Sequence, residues 1–206
     1  MNFETERIAD TVIQQEKKVF TFENTDWNLD WCYLRHPVPE NYQLEPDKVQ
    51  LKGTGVTLDV PSSPSFIGLR QKDFNGVISC RISLTNGEAG ITLYMDENHH
   101  YDLALRSHAH GYEIIERLNI GDIKSIEKAV DLSHCNHATL VIKTTPTHYH
   151  FCVQIEDTEI SLGAAQTKYL SSEVTGGFTG VLIGMYATGE SSDSKAEFTD
   201  FRCEYY

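Results

Sequence analysis

The sequence predicts an all-β fold in one domain, a sandwich or a barrel, on three observations. The chain has 206 residues, 40% hydrophobic and 23% charged, enough to bury one core without staples and too short for two ordinary domains. Short segments repeat an apolar–polar rhythm of two, bounded by turn residues at intervals of roughly ten, the pattern of strands that each bury one face. Helical periodicity is nearly absent, and about ten strands with hardly a helix imply a sandwich or a barrel. No internal repeat, linker or low-complexity run divides the chain.

Residues 1–18 stand apart as an N-terminal extension: Ile8, Val12 and Gln15 line one face of a short helical pattern, but Glu and Lys dominate and no strand alternation appears. The domain proper spans 19–206. Its first strand candidates are 49–52 and 57–60. The clearest is 77–84, where Ile78, Cys80, Ile82 and Leu84 point one way and Ser79, Arg81 and Ser83 the other. Thr85-Asn86-Gly87-Glu88 follows, and because Asn-Gly tolerates positive φ at both central positions, 77–84 and 89–95 are expected to form a hairpin. Further strands are expected at 101–106, 112–118, 140–144, 148–154, 181–186 and 197–205. Gly121 and Asp122 open a helical candidate around 123–130. The core is expected to hold Ile78, Cys80, Ile82, Leu84, Ile91, Leu93, Phe151, Val153, Ile183 and Phe198.

Charge narrows the partners. Lys and Arg total 17 against 30 Asp and Glu, a formal net charge of −13, which repels nucleic acid and anionic membranes over most of the surface. The longest apolar stretch, 181–187, is too short to cross a bilayer, and the first residues lack the apolar core of a signal peptide. Five cysteines (Cys32, Cys80, Cys135, Cys152, Cys203) are odd in number and scattered, without a C-x-x-C pair, which suits free thiols in a reducing compartment. No N-x-S/T acceptor occurs. The expected location is cytoplasmic.

Several separated motifs, in order, carry a resemblance: Asp30-Trp31 with Leu34-Arg35-His36-Pro37 and Asn41-Tyr42-Gln43-Leu44; Pro64-Ser65-Phe66-Ile67-Gly68 with Arg70-Gln71; Glu88-Ala89-Gly90-Ile91-Thr92-Leu93-Tyr94; Gly176-Gly177-Phe178-Thr179-Gly180; and Phe198-Thr199-Asp200-Phe201. Over nearly all of 20–206 the chain resembles the C-terminal concanavalin A-like domain of glycoside hydrolase family 43 β-xylosidases. The resemblance implies an all-β, two-sheet antiparallel β-sandwich, a concanavalin A-like lectin/glucanase fold of the jelly-roll type. It also implies that catalytic carboxylates belong to a separate five-bladed propeller, to which nothing here corresponds. In such enzymes the sandwich helps to wall the pocket, so the resemblance makes Phe178 the residue offered toward a neighbouring active-site mouth. One departure is Glu159-Ile160-Ser161-Leu162-Gly163, where the family often has a Trp shortly before the Leu-Gly pair.

The residues themselves hold little catalytic chemistry. A glycosidase needs two carboxylates across the scissile bond, one with a raised pKa, and no Glu-x-Asp-x-x-Glu strand is present; the acids at 156–159 and 197–204 have the wrong spacing and read as surface charge. His108 with His110, and His148 with His150, each put two imidazoles on one side of a strand, short of the four ligands zinc takes. Glu23 and Asp200 are candidate oxygen ligands for a structural calcium tying the first and last strands; no other cofactor is expected. Cys135, between His134 and His137, has only sequence adjacency to suggest a dyad.

For a sugar, rings that stack and planar groups that bond hydroxyl pairs are the useful types, and Trp31, Arg35, Arg70, Gln71, Tyr94 and Phe178 supply them. Trp31 and Tyr94 also fit a core, Phe178 an edge cap. Arg70 and Gln71 need a reason to follow so apolar a stretch. Two function classes stay open: a non-catalytic carbohydrate-binding or accessory module whose partner is a small sugar or oligosaccharide, and a protein-interaction module that assembles with an enzyme of carbohydrate metabolism. A hydrolase with an unrecognised site is third, and a second copy of the chain is a further candidate partner.

Overall fold

A computed structural model describes residues 18–156, 158–177 and 179–206. In chain order the strands are β1 (Lys18–Thr21), β2 (Trp31–Cys32), β3 (Tyr42–Leu44), β4 (Lys48–Lys52), β5 (Ser65–Arg70), β6 (Gly76–Leu84), β7 (Glu88–Asp96), β8 (His99–His108), β9 (Gly111–Ile120), β10 (Ile123–Ser133), β11 (His137–Thr144), β12 (His148–Ile155), β13 (Thr158–Gln166), β14 (Leu182–Thr188) and β15 (Lys195–Tyr205). One turn of helix, α1 (Ser172–Thr175), and two 3-10 turns complete them. Of the expected N-terminal extension only Lys18 is described, and it opens β1. Among the described residues no helix is long and apolar enough to cross a membrane.

Two antiparallel sheets pack face to face. The first runs β13-β12-β11-β6-β15-β4-β3, with β1 also paired to β15; the second runs β10-β9-β8-β7-β14-β5-β2. Alternation decides what fills the space between them. Across the first sheet, Ile142 stands opposite Ile78, Leu140 opposite Cys80 and Phe198 opposite Ile82, so one inward row of each strand stacks on the next. All ten residues expected in the core are buried, most of them completely. At one end, Phe22, Trp27, Trp31 and Phe201 form an aromatic cluster with ring centroids 4.8 to 5.8 Å apart.

Three local expectations are corrected. The strands β6 and β7 are not a hairpin: β6 lies between β11 and β15 in the first sheet, β7 between β8 and β14 in the second. Asn86-Gly87 carries the chain across the sandwich. Gly87 has φ 94°, and a Cβ there would sit 2.3 Å from the Thr188 carbonyl, so glycine is needed for close approach as well as for its dihedral. The helical candidate at 123–130 is β10, paired with β9 along its length through two register shifts; Gly121, at φ 61°, starts an edge strand. Residues 57–60 are not a strand but belong to a strap, 53–64, that crosses the outer face of the second sheet.

Candidate functional site

At one end of the sandwich a groove of about 690 Å³ opens between the loop after β5, the end of β7, the β11–β12 turn and the segment around α1. Its floor is buried: Met95, Tyr149 and Leu170 are 7%, 2% and 2% exposed. Its rim is apolar and open, with Phe74 62% and Val174 46% exposed. Phe74 is held outward by a local turn, since the Asp73 carboxylate accepts from the amides of Phe74 (2.6 Å) and Asn75 (3.3 Å). Val174 is presented by α1, which ends at Gly176 in the left-handed conformation, φ 74°.

Two residues singled out in the sequence meet here. Gln71 spans the groove wall: its side-chain oxygen accepts from the Tyr149 hydroxyl (2.9 Å), its amide nitrogen donates to the Asp73 carbonyl (2.9 Å), and its backbone amide donates to the Val181 carbonyl (2.9 Å). Burial pushes the Tyr149 pKa up to about 12, with the bond to Gln71 opposing it. Arg70 ends β5 exposed, and its guanidinium donates to the Thr179 carbonyl. That bond ties the 176–180 loop to β5, and Gly180 closes the loop with φ 72°. The odd polar pair after an apolar strand therefore has a structural reason: one residue braces the loop, the other the groove wall. Phe178 lies outside the described residues.

The remaining sequence candidates do not reach the groove. Trp31 is 4% exposed in the aromatic cluster of the core, its Nε1 donating to Thr25 Oγ1 (2.8 Å), so its ring is not open to a sugar. Tyr94 is 8% exposed; it faces outward from β7, but the strap covers it and its ring stacks on His100 with centroids 5.9 Å apart. Arg35, at φ 57°, lies 3.6 Å from the Glu97 carboxylate. Sequence reasoning missed Phe74, Met95, Tyr149 and Val174; the one local signal was an aromatic framed by Asp73 and Asn75-Gly76.

The acids of the groove are not arranged for glycosidic cleavage. Asp73 is occupied by its turn. Glu173, fully open to solvent, has its pKa lowered by its own backbone amide and Ser171, whereas a general acid needs it raised. Among the described residues the carboxylic acid with a clearly raised pKa is Glu116, brought up to about 7 by burial and then by nearby Glu127, with Lys128 opposing. It packs against Gly163 between the sheets and does not line the groove. Metal binding fares no better. Glu23 and Asp200 line one depression of about 320 Å³ with Asp47. The imidazole pairs His108–His110 and His148–His150 have centroids 6.3 and 6.0 Å apart. Yet no group of three or more His, Cys, Asp or Glu among the described residues is close enough to hold an ion.

The family model of the β-xylosidase C-terminal concanavalin A-like domain matches residues 19–204. The non-reducing end α-L-arabinofuranosidase of Bacteroides ovatus is 34% identical over 192 residues, which cover 88% of this chain and 36% of that enzyme. The solved structure of GH43B from the Bacteroides ovatus xyloglucan PUL superposes with a TM-score of 0.81 at 32% identity, over 90% of this chain and 38% of that one. A functionally unknown protein from Saccharomyces cerevisiae shares the fold, with a TM-score of 0.63 at 16% identity, over 88% of this chain and 99% of that one. The chain thus spans just over a third of the length of the curated relatives it matches.

Proposed function

The chain belongs to the family of β-xylosidase C-terminal concanavalin A-like domains, and we propose that it works as a non-catalytic accessory domain. In this reading the groove end docks on a family 43 catalytic unit, and Phe178 of the 176–180 loop walls the substrate pocket. The observation that carries it is the pairing of an open apolar rim, Phe74 and Val174, with a loop braced by Arg70 at the same end of the sandwich. Exposed apolar groups clustered at one place mark an interaction site. An autonomous sugar-binding module is the weaker reading, because Trp31 and Tyr94, two rings suited to stacking, are both buried.

The test is a chimaera in which this chain replaces the homologous segment of the Bacteroides ovatus arabinofuranosidase. We expect it to hydrolyse aryl arabinofuranosides, and Phe178→Ala in it to lower kcat/KM by roughly tenfold or more, the effect of misplacing a pocket wall, with an unchanged unfolding midpoint. An active chimaera indifferent to Phe178→Ala contradicts the pocket-wall role. Hydrolysis of the same substrates by this chain alone contradicts a non-catalytic one.

A further inference from the structure

The outer face of the second sheet is closed by the 53–64 strap between β4 and β5. Its ends are pinned to other elements. The Gly53 amide donates to the Ser194 carbonyl (2.8 Å), the Thr54 carbonyl accepts from the Gly189 amide (2.9 Å), and the Tyr42 hydroxyl donates to the Pro64 carbonyl (3.1 Å). Within the strap the bonds are short-range, from the Ser62 amide to the Val60 carbonyl (2.7 Å) and from the Val56 amide to Thr54 Oγ1 (3.4 Å). What holds its middle is therefore two adjacent side chains. Leu58, 4% exposed, packs into a cluster with Phe66, Tyr94 and Tyr186. Asp59 reaches the sheet: its Oδ1 accepts from Asn119 Nδ2 (2.9 Å) and Lys124 Nζ (2.8 Å) and lies 3.4 Å from His100 Nε2.

We propose that Asp59 is a latch whose carboxylate, seated among Asn119, Lys124 and His100, holds the strap shut as a lid over the aromatic and ionic face of the second sheet. The chemistry on the two sides of the contact differs. Asp59 is 28% exposed and water can reach it, whereas His100 and Asn119 are fully buried. Behind His100, Asp102 Oδ1 accepts from its Nδ1 (2.9 Å), and Asp102 Oδ2 accepts from Arg117 (3.1 Å). Arg117 in turn donates to both oxygens of Glu88 (2.8 and 2.6 Å), which also accepts from the Tyr186 hydroxyl (2.8 Å). Tyr94 stacks on the His100 ring from β7, and Glu97 meets the cluster through its carbonyl, bonded to Asn119.

Beneath the lid the sheet carries its own ion pairs; among the described residues of the strap, Asp59 makes the polar contact to them. Its bond to His100 holds the Asp59 carboxyl well below the usual carboxylate range, against a burial penalty and with help from Lys124. Burial alone would lower the His100 pKa, but Asp102 and then Asp59 outweigh it and bring it up to about 9. The latch thus stays charged through neutral pH. The inference stands apart from the accessory reading, since neither the groove nor the 176–180 loop enters it.

The test is Asp59→Ala in the full chain. We expect the Leu58 methyl resonances to lose the ring-current shift of Phe66 and Tyr94, and chymotrypsin to nick after Leu58 about tenfold faster, as the open population rises, with the global unfolding midpoint nearly unmoved. Sodium formate, replacing the lost carboxylate, should reverse both changes. Unchanged Leu58 resonances and unchanged nicking overturn the latch, as does a loosened strap that formate leaves loose. Should the variant fail to fold, the wild-type Asp59 carboxyl carbon decides: ionisation persisting at pH 3 supports the latch, and titration near pH 4 overturns it.

Discussion

The strapped face of the second sheet and the groove at the end of the sandwich are opposite kinds of surface. The strapped face of the second sheet is polar and closed: Asp102 and His100 are completely buried, Glu88 nearly so, and Arg117 bridges the two carboxylates. The groove is apolar and open: Phe74 and Val174 face solvent around a floor of Met95, Tyr149 and Leu170. A buried polar group and an exposed apolar patch are the two informative departures from ordinary burial. In the first, the charged groups are paired with one another; the second, apolar and open, asks for a partner.

The largest effect is expected on the closed face. Arg117→Met removes the bidentate cation of Glu88 and leaves Asp102 with His100 alone, so the buried Glu88 carboxylate loses its counter-charge and unfolding in urea should lose roughly 3–5 kcal/mol. A loss under about 1 kcal/mol, typical of an exposed pair, would mean that water already reaches these groups.

A smaller effect is expected between the sheets, where Glu116 Oε2 is buried without a partner. Burial raises the Glu116 pKa to about 7 in the folded chain, against about 4.5 for a solvent-exposed glutamate, so the folded state binds the proton more tightly. Stability from this group is complete below about pH 4.5 and is lost as pH rises through about 7. Glu116→Gln should therefore flatten the decline of the thermal midpoint between pH 5 and 8, an effect on the order of 1 kcal/mol after solvent screening. Parallel midpoint curves for the two proteins would refute it.

How much of this was legible in the sequence follows from what alternation can and cannot encode. Inward rows such as Ile78, Cys80 and Ile82 were readable because strand period alone selects a face. The same period at His100, Asp102 and Arg106 marks a polar face but does not say that a strap will cover part of it; that depends on Asp59, which joins it through a contact far away in sequence. Asn86-Gly87 announced a turn correctly but not its destination, because turn chemistry does not reveal which sheet the next strand enters. Gly121 and Asp122 suggested the start of a helix at 123–130, with little apolar period behind it, and pairing with β9 makes the segment an edge strand. Arg70 and Gln71 were noticeable as polar residues following an apolar strand. The groove they brace was not, since it is assembled from loops with no period at all.

The smallest stability effect carries the most functional weight. Phe74→Ser should change the unfolding free energy by no more than about 0.5 kcal/mol, as for an ordinary surface position, whereas a core-sized loss of roughly 3–5 kcal/mol would move Phe74 out of any interface.

Hydroxyl-radical footprinting of Phe74 and Val174, in this chain alone and in the Bacteroides ovatus chimaera, tests the docking face itself. If the groove end is the docking face, labelling of both should fall severalfold in the chimaera while Leu29 and Ile123, 84% and 68% exposed, are labelled equally in the two proteins. Equal labelling of Phe74 and Val174 in both would contradict the claim and leave the groove without a role as a contact surface.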